Sequence, residues 1–143
     1  MVKILLVEDN EMHWTILSRT LIGRGFDVVV ATDGEEGVAK ALTEKPDLIL
    51  MDMGLPRLTG SEATRLIKAN EATRFIPVIA ITAFALDESR RIALEAGCID
   101  FITKPVQFSV LMDRIDGALR RYHTRILPPL ESVVVPSRST TYK

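Results

Sequence analysis

The sequence holds a single cysteine, Cys98, so neither an internal disulfide nor a cysteine-cluster metal site can form, and a reducing compartment suits the chain. An excess of either charge is also missing. Lys and Arg number 18 against 19 Asp and Glu, a net charge of −1, which gives no electrostatic basis for wrapping nucleic acid or coating an anionic membrane. Long apolar runs are absent as well. The opening MVKILLVEDN has only Ile4 to Val7 as an unbroken apolar stretch before Glu8 and Asp9, too short for a signal peptide or a membrane span. The expectation is a cytoplasmic protein with no membrane insertion. No G-x-x-x-x-G-K phosphate loop occurs, and nothing after the last predicted helix reads as a helix-turn-helix, so direct contact with nucleic acid is not expected.

What the chain does have is the balance of one globular domain. Its 143 residues suit a single core, and 47% apolar with 26% charged residues argues against wholesale disorder or a fibre. Strand and helix signals alternate five times. Apolar runs at Ile4–Val7, Asp27–Ala31, Leu48–Met51, Pro77–Ile81 and Asp100–Thr103 suit strands covered on both faces. The first helix starts at Asn10, a good N-cap, carries Ile16, Leu17, Thr20 and Leu21 at helical spacing, and stops at Gly23 and Gly25. The second presents Val38, Ala41 and Leu42 inward, and the third Ala63, Leu66 and Ile67. The fourth runs from Asp87 to Ala96 against Gly97. The fifth presents Phe108, Leu111, Ile115, Ala118 and Tyr122 on one face.

Strict alternation predicts an α/β fold, a doubly wound five-stranded parallel sheet of order 2-1-3-4-5 with five helices on its two faces. The functional crevice of such a sheet lies beyond the carboxyl ends of the strands, beside the reversal of strand order. Strands 1 and 3 flank it. From about Ile126 onward Pro128-Pro129 blocks a helix and PSRSTTYK has the composition of a flexible end, so residues 126–143 are expected to be a tail too short for an effector domain. Val133 to Val135 is its one apolar patch.

Every strand except the second delivers a polar group to the same rim: Glu8 and Asp9 after strand 1, Asp52 after strand 3, Thr82 after strand 4 and Lys104 after strand 5. Singly, each has a bland explanation as a cap, a strand-end hydroxyl or a solvated charge. Together they are harder to dismiss. Three carboxylates and one lysine sum to about −2, and like charges so close raise one another's pKa values unless a cation intervenes. A hard divalent cation with oxygen ligands and room for water, Mg2+, brings the sum to zero. Asp52 then stands where a carboxylate could attack phosphorus, with Thr82 and Lys104 holding phosphoryl oxygens.

These residues resemble a known family. Val7-Glu8-Asp9-Asn10, the run Leu48 to Met53 with Leu55-Pro56, Ile81-Thr82-Ala83 and Phe101-Ile102-Thr103-Lys104-Pro105 are similar, in order and spacing over about residues 2–125, to the receiver domain of bacterial two-component response regulators. The likeness is strongest to single-domain regulators such as those of chemotaxis and cell division. It implies a flavodoxin-like three-layer sandwich, with a receiver at 1–125. Asp52 would accept a phosphoryl group from a histidine kinase or histidine phosphotransferase. Glu8, Asp9, Asp52 and the backbone carbonyl of Gly54 would hold magnesium. Thr82, the Ala83 amide and Lys104 would bind the phosphoryl oxygens, Lys104–Pro105 would be cis, and Phe101 would be the aromatic switch. Asn10, Glu11, Trp14, Pro105 and Val106 would form the docking face for the phosphodonor. Trp14, judged by phase from Ile16 and Leu17, is expected off the inner stripe and partly exposed. The readout would be a downstream protein target, with a phosphorylation-dependent homodimer left open.

The family's activity is signalling: a phosphoacceptor that catalyses its own phosphorylation and slow self-dephosphorylation, rather than an enzyme with a separate substrate. Slowness is expected because Gly54 offers no side chain to orient a hydrolytic water and Phe84 can shield the phosphoryl group. A haloacid-dehalogenase-like phosphatase would carry Asp-x-Asp after strand 1, where Glu8 and Asp9 are adjacent. A flavodoxin-like cofactor binder would need donors there, and two carboxylates would repel its phosphate. A degenerate receiver that acts unphosphorylated as an interaction module is the remaining alternative. His13 reads as an ordinary surface helix residue.

Overall fold

The computed structural model describes residues 1–126. Its elements are β1 (Lys3–Val7), α1 (Glu11–Gly23), β2 (Asp27–Ala31), α2 (Gly34–Glu44), β3 (Leu48–Asp52), α3 (Gly60–Ala69), β4 (Val78–Thr82), α4 (Asp87–Ala96), β5 (Asp100–Thr103) and α5 (Phe108–Ile126). All strand pairs are parallel, in the order β2-β1-β3-β4-β5, as the alternation predicts. Strand boundaries shift by one residue from the sequence reading: β1 begins at Lys3, β3 includes Asp52, and β4 runs from Val78 to Thr82. The Tyr122 side chain and the tail, with Val133 to Val135, lie outside the described residues.

The period-two geometry of a strand divides the core in two. Leu5, Val7, Ile49, Met51, Val78 and Ala80 face one layer, packed with Ala41 of α2, Ala63 and Ile67 of α3 and Ala93 of α4. Ile4, Leu6, Leu48, Leu50, Ile79 and Ile81 face the other, with Leu17 and Leu21 of α1 and Leu111, Ile115 and Ala118 of α5. Burial on both faces is why the strands read as solid apolar runs rather than alternating ones.

Helix ends follow local chemistry. The Asn10 side chain accepts from the His13 amide at 3.1 Å to open α1, and Thr59 with Glu62 forms a reciprocal capping box on α3. Gly97 closes α4 at φ 116°, a conformation that costs glycine nothing. Helix phase differs from the sequence reading in four places. Ile16, Leu42 and Leu66 are 57%, 45% and 50% exposed, not on inner faces. Trp14 is partly exposed, as expected, but it packs against the core beside Leu17 and Leu21, so the inner stripe of α1 runs 14-17-21 and excludes Ile16. Cys98 is buried 3.9 Å from the Thr64 hydroxyl, and burial pushes its thiol up to about 11, a chemically quiet position.

Candidate functional site

Parallel strands bring the chemistry together because all five end at the same rim. β1 and β3 are neighbours, with Val7 beside Met51, so Glu8 and Asp9 leave one strand where Asp52 ends the next. Glu8 is held in line by its amide, which donates to Ala31 O at 3.0 Å. Asp52 is fixed from two sides: the Met53 amide donates to Ile81 O at 2.8 Å, and the Gly54 amide donates to Asp52 Oδ1 at 3.0 Å. Lys104 arrives from β5, its amide donating to Thr82 O at 2.7 Å. Gly60 makes the floor possible, since a Cβ there would strike the Asp52 carbonyl and meet Met53 Cα at 2.7 Å.

Glu8, Asp9 and Asp52 each offer a carboxylate oxygen, all within 4.8 Å of one another. Glu8 and Asp52 are 1% and 4% exposed, while Asp9 is open to solvent. Against these three charges stands Lys104, whose Nζ lies 3.3 Å from Glu8 Oε1 and 3.6 Å from Asp52 Oδ2. Neutralisation is incomplete. Burial, and then the Asp52 charge, push the Glu8 carboxyl above its ordinary range, opposed by the Asn10 amide and Lys104. Glu8 Oε1 lies near the ammonium without a hydrogen bond, the one buried side-chain polar atom so placed among the described residues. A buried carboxylate oxygen whose close neighbour is the Lys104 ammonium, facing two further carboxylates, is the donor set of a hard divalent cation. The residues therefore fit magnesium.

The carboxylates sit in a cleft of about 580 Å³ whose walls include His13, Gly54, Thr82, Phe84 and Ile92. Ala83 is exposed on its lip and Phe84 is 64% exposed. The Thr82 hydroxyl, 5% exposed at the residue level, shares a turn with Phe84, donating to its carbonyl at 3.3 Å and accepting from its amide at 3.2 Å. Lys104–Pro105 is cis, as the resemblance implies. Phe101 is half-buried against the α2–α3–α4 core, with the Arg90 guanidinium 5.1 Å over its ring. Asn10, Glu11 and Pro105 are exposed at this rim, whereas Val106 and Trp14 pack partly into the α1–α5 core.

Two features escape a sequence reading. His13, in the first turn of α1, lines the cleft with Nδ1 3.6 Å from Glu8 Oε2. The Arg90–Phe101 stack joins α4 to β5 and leaves no trace in local sequence.

Residues 4–116 match the family model of the response regulator receiver domain. The chain belongs to this family. Among curated relatives, this receiver is 39% identical over 119 residues to the alkaline phosphatase synthesis transcriptional regulatory protein PhoP of Bacillus subtilis, covering 83% of the chain and 49% of that protein. It thus spans about half of that relative's length. It is 34% identical to the polar-differentiation response regulator DivK of Brucella anthropi, covering 81% of the chain and 94% of DivK. A solved structure, the receiver domain of the sensor histidine kinase PA1611 from Pseudomonas aeruginosa, superposes with a TM-score of 0.78 at 39% identity, covering 83% of this chain and 98% of that one. That neighbour carries a magnesium ion coordinated in its active-site cleft. No helix among the described residues is long and apolar enough to cross a membrane.

Proposed function

We propose that this receiver takes a phosphoryl group onto Asp52 from a phosphohistidine of a kinase or phosphotransferase, and that the added charge switches its contacts with a protein target. The observation that carries this is the under-neutralised rim: buried Asp52 and Glu8 beside Asp9, with Lys104 the one lysine among the described residues that reaches both buried carboxylates. An Asp52 oxygen bonds to phosphorus as the phosphorus–nitrogen bond breaks, its electron pair returning to the imidazole of the donor. Glu8, Asp9, Asp52 and the Gly54 backbone carbonyl would hold Mg2+, which when bound neutralises charge on the phosphoryl oxygens.

The protein's own groups account for the response. Phosphorylation changes Asp52 from a charge of −1 to about −2 and adds three acceptor oxygens. Lys104, already 3.6 Å from Asp52 Oδ2, exchanges a carboxylate for a phosphoryl oxygen. Thr82 must give up its turn with Phe84 to donate inward, and the Ala83 amide moves with it. That motion pulls the loop entering α4, whose Arg90 rests on Phe101, so α4 and β5 re-set together. Slow hydrolysis is the expected outcome of a bare Gly54 and of Phe84 at the cleft wall.

For docking, the exposed residues of the first-helix rim matter more than Trp14. Asn10, Glu11 and Pro105 are joined by Met12 and Ile16, 66% and 57% exposed and one helical turn apart. Ile16→Ala should slow phosphotransfer from a cognate phosphohistidine while acetyl phosphate labelling stays intact; an unchanged transfer rate would remove Ile16 from the docking surface. The phosphoacceptor assignment is tested by intact-mass analysis after acetyl phosphate with Mg2+, where Asp52→Asn must lose the adduct.

A further inference from the structure

We propose that His13 is a positioning residue for the cation site, acting through Glu8; this rests on the phosphoacceptor reading above. The two oxygens of Glu8 live in different surroundings. Oε2 accepts from the Asn10 amide at 3.2 Å and faces His13 Nδ1 at 3.6 Å, while Oε1 has no hydrogen bond and points toward Asp52 and Lys104. The main chain at His13 is held by the helix start itself, since the Asn10 side chain accepts from the His13 backbone amide at 3.1 Å. One residue, Asn10, thereby contacts the Glu8 carboxylate with its amide and the His13 main chain with its side chain. His13 lies outside the group of three whose ligand oxygens are within 4.8 Å, so its effect passes through the carboxylate and not by direct ligation.

A donor at Nδ1 closes to Oε2 with a small rotation of a half-exposed ring. It restrains the carboxylate plane, leaving Oε1 as the oxygen presented to the cation. Partners that orient a ligating carboxylate commonly change metal affinity by about 10- to 100-fold when removed. Because His13 is 44% exposed at its side chain, the lower end applies.

The experiment is calorimetric titration of Mg2+ into the full chain and into His13→Ala and His13→Asn, whose amide nitrogen stands as many bonds from the backbone as Nδ1. His13→Ala should bind Mg2+ about tenfold more weakly, His13→Asn should recover most of that loss, and the thermal midpoint of the cation-free proteins should be unchanged. Equal affinity in His13→Ala and the parent overturns the inference alone. A matching loss in both variants, accompanied by a lower thermal midpoint, also overturns it by showing a merely structural role. If the parent binds no Mg2+ and forms no adduct with acetyl phosphate, the inference falls together with the reading beneath it.

Discussion

The two ends of the same two strands are built to opposite specifications. At the amino ends of β1 and β3, the polar groups are paired: the Lys3 amide donates to Asp47 at 2.8 Å, the Asp47 amide donates to Lys3 O at 2.8 Å, and Lys3 Nζ reaches both the Glu44 carboxylate and its carbonyl at 3.2 Å. At the carboxyl ends three carboxylates share one lysine, and one buried oxygen has no hydrogen bond. Both ends are polar and both sit on equally apolar strands, so the difference is not one of fold. A sheet needs its ends satisfied to be stable, and the end left under-neutralised is the one proposed to take a cation and a phosphoryl group.

The contrast between the two strand ends depends most on Glu8. Glu8→Gln should weaken Mg2+ binding by more than about 100-fold, since a ligand rather than its support is lost, yet raise cation-free stability by about 1 kcal/mol by removing a buried, under-paired charge. Chemical denaturation and calorimetry measure the two halves, and a loss of stability would show that Glu8 is satisfied after all. Its pH signature has a definite sign. The folded protein keeps the Glu8 proton at pH values where the unfolded chain, near 4.5, has released it, so cation-free stability falls as pH rises from about 4.5 through the raised value. Glu8→Gln should flatten that segment.

Next comes the floor of the same rim. Gly60→Ala forces a methyl group into the Asp52 carbonyl and against Met53, which should cost about 2 to 3 kcal/mol in denaturant midpoint and disturb adduct formation. The smallest effect belongs to the amino end. Lys3→Met should cost less than about 1 kcal/mol, shrink further in high salt, and leave Mg2+ affinity alone, because the pair is part-exposed and lies at the far end of the strands. A large effect on Mg2+ binding would contradict the separation of the two ends.

Most of this architecture was legible in the residues. Solid apolar runs, Asn10 as a cap, Gly97 as a stop and the recurrence of polar residues after the strands were enough to place the sheet order and the rim. Helix phase was less legible. Ile16 and Leu17 are both apolar and adjacent, and an inner direction averaged between them points away from the true one, so Trp14 reads as off the stripe and Ile16 as on it. Leu42 and Leu66 failed for the same reason: each follows or precedes a truly buried residue, Ala41 or Ile67. Contacts set by side-chain direction were not legible at all. The turn of the Thr82 hydroxyl onto Phe84, the approach of His13 to Glu8 and the stacking of Arg90 on Phe101 depend on how neighbouring elements meet, which spacing alone does not encode.

The proposed phosphoacceptor, Asp52, is the group that the under-neutralised rim would serve. Intact-mass analysis of the full chain after acetyl phosphate tests it most directly, run with Mg2+, with excess chelator, and with Asp52→Asn. A single phosphoryl adduct on the parent that needs Mg2+ and is absent from Asp52→Asn is the predicted result. An adduct of equal yield on Asp52→Asn, or none on the parent with Mg2+ present, would contradict it.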